Sequence, residues 1–172
     1  MPKEYDFGVV SIKRGGIDSV TGLPTALTDV GEIYRDTADM IPGDVDITDH
    51  FSELSSQPVI RTKRKGLTVL QFTLMDTSAD VLAAYLGGTV TAVADEPDVW
   101  NEPDETPTIE ASFEITTESG KVITIHRGDV TGKYIITPKR DSMNLLEVMV
   151  AIMKPLVENV PATTSKDAQP SA

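Results

Sequence analysis

The residues able to do chemistry are few in this chain. It has no cysteine, which excludes thiolate metal sites, thiol nucleophiles and disulfides. Its two histidines, His50 and His126, stand far apart in sequence with no ligand-like neighbours. His126 shares a strand with Ile123 and Ile125 but faces the other way, which predicts a solvated side chain. Asp44, Asp46 and Asp49 in PGDVDITDHF could offer oxygens to calcium, yet the glycine and terminal glutamate of an EF-hand loop are missing. They read as an acidic surface loop, with Thr48 or Asp49 capping a turn, and no metal or other cofactor is expected. The basic run Arg61, Lys63, Arg64 and Lys65 could meet phosphates, but alternate strand residues point to opposite faces and cannot build one dense patch. Nucleophile elbow, phosphate loop, dinucleotide fingerprint and zincin motif are all absent, so no catalytic residues are named and no enzyme is expected.

Charge is the more informative feature. The 172 residues carry 15 basic and 27 acidic side chains, a net charge of −12, which argues against affinity for nucleic acid or anionic membranes. Residues 67–107 hold eight acids and no base, so two thirds of the net charge falls in one quarter of the chain. Most of it lies in ADEPDVWNEPDETP, where prolines and repelling carboxylates exclude helix and central strand. The prediction there is a solvated loop over 95–107, anchored by Trp100.

The elements that must position these residues are mostly strands. In TIEASFEITT, Ile109, Ala111, Phe113 and Ile115 alternate with polar residues, and a turn at ESG leads into KVITIHR, which predicts a hairpin. GKYIITP reads as a separate strand after Gly128-Asp129, and NLLEVMVAIMKP as another from its β-branched content. PVIRTKRK and LTVLQFTLM flank Gly66 and read as a second hairpin, preceded by strands at FGVVSI and LTDVGEIY. One helix is predicted over about 77–86, opened by a capping box of Thr77 and Asp80, with Val81, Leu82, Tyr85 and Leu86 on one face and Gly87-Gly88 as its stop. The start MPKEYDFG lacks the pattern of a secretory signal, and no run is long enough to span a bilayer. The expected organisation is a single β-domain over 1–160 with long loops at 40–57 and 95–107, then a disordered tail over 161–172.

The stretch VGEIYRDTADMIPGDVDITDHFSELSSQPVIRTKRKGLTVLQFTLMDTSADVLAAYLGGTV, with the hairpin and apolar strand that follow, resembles the tail tube (major tail) proteins of long-tailed bacteriophages. These are related to the tube proteins of contractile injection and type VI secretion machines, and the likeness spans roughly 7–157. It implies an antiparallel β-sandwich or barrel with one flanking helix, six copies closing into a ring, and rings stacking into a hollow conduit for DNA. The implied partners are the chain itself and other tail proteins such as tape measure, tail-terminator, baseplate or sheath components. The implied location is the virion, after assembly in the host cytoplasm. On this reading Gln71, Thr73, Arg61 and Lys63 are the candidates to face the lumen. Asp44, Asp46, Asp49 and Phe51 in the loop 40–57 are the candidates to contact the next ring. Two other readings stay open: a monomeric β-sandwich binding module, carbohydrate- or calcium-dependent, with Trp100 and Tyr134 on an exposed platform and the acids around Asp44 as a metal site, and another virion protein such as a capsid decoration or tail-terminator protein.

Overall fold

A computed structural model describes residue 6 and residues 8–168. In chain order the elements are β1 (Val9–Ile17), β2 (Pro24–Asp29), β3 (Asp39–Ile41), β4 (Asp46–Phe51), β5 (Pro58–Arg64) and β6 (Val69–Leu74), followed by α1 (Ala79–Leu86). Then come β7 (Thr89–Thr91), β8 (Val99–Asn101), β9 (Ile109–Thr117), β10 (Val122–Ile135), β11 (Leu145–Ile152) and β12 (Thr163–Lys166). Strands hold 49% of the described residues and helix 5%, so the fold is mainly β with one helix among them.

The main sheet runs β2-β1-β9-β10-β11-β6-β3, with β12 added beside β10, and every pairing in it is antiparallel. Its period-two strands put Ile12, Phe113, Ile125, Val148, Val150, Leu70, Phe72 and Leu74 on one buried face. β9 and β6 are three steps apart in that order, which would be ~14 Å in a flat sheet at ~4.8 Å per strand. Yet the rings of Phe113 and Phe72 meet edge to face with centroids 6.1 Å apart. The sheet therefore curls round its own core, giving the sandwich-like body expected.

Helix α1 closes the core with Leu82 and Tyr85, and the Phe72 ring meets Tyr85 at 6.4 Å. Arg14 lies over the Tyr85 ring, its guanidinium carbon 4.6 Å from the centroid. Burial pushes the Tyr85 hydroxyl up to about 12. The helix approaches β10 at Gly132, where a Cβ would press on Leu86 and the Tyr85 carbonyl. The capping box is not formed: Ser78 is the N-cap without a side-chain bond, and Asp76 instead accepts the Ser78 N–H at 2.9 Å. The stop is as expected, since Gly87 and Gly88 both take positive φ.

Several strand expectations are corrected. β10 is one strand of 14 residues, because a bulge at 126–127 absorbs the irregularity and Gly128 stays in the ladder. LTDVGEIY is not continuous: β2 ends at Asp29, whose side chain accepts the Gly31 N–H at 2.9 Å, and Ile33 makes only a single bridge to Leu74. The tail 161–168 is not free coil, since Thr163–Lys166 pair with Val122–Ile125 of β10; residues 169–172 lie outside the described residues. The segment 95–107 is mostly loop but contains β8, which pairs with β7.

Candidate functional site

The largest departure lies in the segment expected to be a loop at 40–57. It supplies β3 at one end and then β4, which pairs antiparallel with β5 as a separate two-stranded sheet. The hairpin is thus β4–β5, not two arms flanking Gly66; the second arm, β6, lies between β11 and β3 in the body. Its turn is built from serine. Ser52 Oγ accepts the Leu54 N–H at 3.2 Å, and Ser55 Oγ accepts the Gln57 N–H at 3.1 Å. At its root the two strands leave the body through a close crossing of Gly43 and Gly66. A Cβ on Gly66 would strike the Asp44 carbonyl and the Gly43 backbone.

Both faces of this ribbon are open. Every residue of β5 is exposed, and in β4 only Asp49 is half-buried. Register puts Ile47, Asp49, Arg61 and Lys63 on one face, and Asp46, Thr48, His50, Ile60, Thr62 and Arg64 on the other. Arg61 holds Asp49 through a two-pronged bond, Nε to Oδ1 at 2.6 Å and Nη2 to Oδ2 at 2.8 Å. That bond lowers the Asp49 pKa and raises that of Arg61. Exposed apolar side chains stand on both faces of the ribbon, including Ile47, Phe51, Val59 and Ile60, with Leu54 at the tip 99% exposed.

The four residues suggested for the lumen are not brought together. Arg61 and Lys63 stand on the hairpin, whereas Gln71 and Thr73 belong to β6 in the main sheet. Gln71 is half-buried, but Thr73 is only 9% exposed, which counts against an open lumen position. The reason is the segment 34–37, which folds over the end of β6. Tyr34 N–H donates to the Thr73 carbonyl at 2.7 Å, and Thr73 N–H donates to Thr37 Oγ1 at 3.2 Å. Beside them the outer sheet face is open and polar. In register across it run Gln71, Met149 and Thr131, then Thr73, Glu147 and Lys133. They line a shallow cleft of about 340 Å³. Glu110 and Asp129 sit directly opposite each other on the same face, with Arg127 bonded to Glu110 at 2.6 and 2.9 Å. Glu147, Lys133 and Asp129 went unnoticed in sequence because each is only one polar member of a strand.

Asp44, Asp46 and Asp49 do not converge either. Asp46 stands opposite Arg64 and Asp49 opposite Arg61 on the other face, and no group of three or more such ligands among the described residues could hold a metal ion. Trp100 and Tyr134 form no exposed platform, since both pack against the core. Trp100 Nε1–H donates to the Gly87 carbonyl at 2.8 Å, and Asn144 donates to the Tyr134 hydroxyl at 3.3 Å.

His126 is buried, only 5% exposed, rather than solvated as expected. The bulge draws it under the returning segment before β12, where its backbone N–H donates to the Ala162 carbonyl at 3.1 Å. Its Nδ1 has no hydrogen-bond partner among the described residues.

Next to the helix, β7–β8 carries the acidic segment. A cleft of about 270 Å³ opens there, bordered by Glu102, Asp104 and Glu105 on one side and by Tyr85, Leu86 and Gly132 on the other. Compared with known proteins, the chain matches no family model and no curated protein.

Proposed function

We propose that this chain is a structural subunit of a phage tail tube, in which rings of six copies stack into a hollow conduit for DNA. The observation that carries the reading is the β4–β5 hairpin. A two-stranded ribbon with both faces in water is at best marginally stable alone, and this one exposes Ile47, Phe51, Leu54, Val59 and Ile60. A neighbouring copy would cover those side chains and give the ribbon a reason to be ordered. The placement of Asp46, Asp49 and Phe51 on this ribbon suits a ring-to-ring contact. The short edge strands β2 and β3 leave both ends of the main sheet available for pairing between copies, a head-to-tail geometry that closes rings and stacks them.

For the conduit wall the favoured surface is the polar face of β6, β11 and β10, with Gln71, Glu147 and Asp129, rather than Thr73, Arg61 or Lys63. Each basic contact to DNA releases counterions and adds affinity, so a wall on which Glu110 ties up Arg127 and Glu147 stands opposite Lys133, with Asp129 in excess, lets a duplex pass without holding it. At physiological salt the Debye length of ~8 Å confines that repulsion to the wall itself. DNA is therefore a passenger, not a ligand.

Negative-stain electron microscopy of the purified full chain over a range of concentrations tests the reading. Hollow six-fold rings or tubes are expected. Trimers, or single rings of another symmetry, would overturn it and favour a capsid decoration or tail-terminator role.

A further inference from the structure

We propose that the basic root of the β4–β5 hairpin, with Lys63 and Arg64 on its two opposite faces and Lys65 just beyond them, docks over the cleft edged by Glu102, Asp104 and Glu105 on a second copy of this chain. The inference rests on reading the chain as a self-assembling subunit and names the surface that receives the hairpin.

Charge at the hairpin root is unpaired among the described residues of one chain. Arg61 is already held by Asp49. Lys63, Arg64 and Lys65 are all exposed and make no ion pair among the described residues. Among the described residues Glu102, Asp104 and Glu105 are likewise exposed and without an ion pair, and none of those that line their cleft is a cation. Within one chain the two sets do not meet. Between copies they are complementary in sign and equal in number.

Global charge makes this local match decisive. Two copies at −12 each repel, so association needs a place where opposite signs face each other. Residues 67–107 contain no base at all, whereas residues 61–65 contain four. The cleft also has apolar walls, Leu86, Pro103, Pro107 and Ile109, against which the methylene stems of lysine and arginine can lie while their charged heads reach the carboxylates. Because donor and receiver are different surfaces, each docked copy presents a fresh pair of ends, and the contact propagates.

The test is sedimentation velocity of the full chain in low salt and in ~1 M salt, where the Debye length falls to ~3 Å. Self-association of the wild type is expected at low salt and should weaken strongly at high salt. Two charge-reversed chains follow: Lys63→Glu with Arg64→Glu and Lys65→Glu, and Glu102→Lys with Asp104→Lys and Glu105→Lys. Each should associate ~10-fold or more weakly than wild type, while the chain carrying all six substitutions recovers. All six side chains are exposed, so melting temperatures should stay close to wild type; if a triple variant fails to fold, Lys63→Glu and Glu102→Lys, singly and combined, decide the matter. A monomeric wild type at every concentration, indifference to salt, a reversed chain that associates normally, or a six-fold substituted chain that does not recover would each overturn the docking. Six-fold rings that form equally well in every variant would overturn it while leaving the tube reading intact. Charge-dependent association without six-fold rings would do the opposite.

Discussion

The indole N–H of Trp100 donates to the carbonyl of Gly87 across 2.8 Å, tying the acidic ribbon to the end of the helix. The ring also packs against the core cluster, so one side chain fixes β8 to the body amid six nearby carboxylates that repel one another.

Trp100→Phe keeps most of the apolar contact and loses the bond, and should lower stability by about 1 kcal/mol. Trp100→Ala should lower it by roughly 2–3 kcal/mol, below the full-burial range because the ring is half-exposed. Urea unfolding followed by circular dichroism measures both. An unchanged midpoint for Trp100→Ala would show that the ribbon is held by something else.

Gly66→Ala acts on the hairpin root. Its new Cβ meets backbone atoms of Gly43 and Asp44, which cannot move aside as a side-chain tip could. Amide exchange should speed up across β4 and β5 while β9, β10 and β11 keep their protection. Equal loss of protection in all five strands would mean that the hairpin and body unfold together.

Tyr85 sets an alkaline limit. Its folded pKa, pushed up to about 12 by burial, lies above the ordinary value of 10, so the native state holds the proton more tightly than the unfolded chain does. The associated stability is complete below pH 10 and is lost as pH rises towards 12, by about 2–3 kcal/mol. Tyr85→Phe should flatten that part of the stability curve, as read by denaturation midpoints between pH 9 and pH 12.

Glu110 works at the other end. The Arg127 guanidinium bonded to it lowers its pKa, so its contribution is present above the usual glutamate range and fades as pH falls through the folded value. Glu110→Gln should therefore reduce stability at neutral pH slightly and leave it unchanged in strong acid. Solvent screening keeps the effect small. A loss that persists in strong acid would assign Glu110 a packing role instead.

What could be read in the sequence was what one-sided burial imprints. β9 and β11 are legible because one face is core and the other is not, and the helix stop because Gly87-Gly88 needs positive φ. The hairpin was misassigned because turn rules look for glycine: Gly66 is present for close backbone packing, whereas the true turn at 52–57 is made by serine hydroxyls. Gly128 misled similarly, since it makes room for Val150 rather than ending a strand. The pairing error carried into the candidate site. Gln71 and Arg61 were placed on the two arms of one hairpin, but those arms belong to different sheets. Burial of His126 was illegible because the bulge and the returning segment that cover it are tertiary events.

The length of β10 has a mechanical meaning. It is bonded to β9 along one flank and to β12 and β11 in turn along the other. Tension along this strand loads many hydrogen bonds in shear at once, because they lie across the line of force. The β4–β5 ribbon, with a free tip and one partner per strand, peels open one rung at a time. Under load the chain should therefore yield first at the ribbon, leaving a stiff body from which the ribbon can re-form when the load is removed.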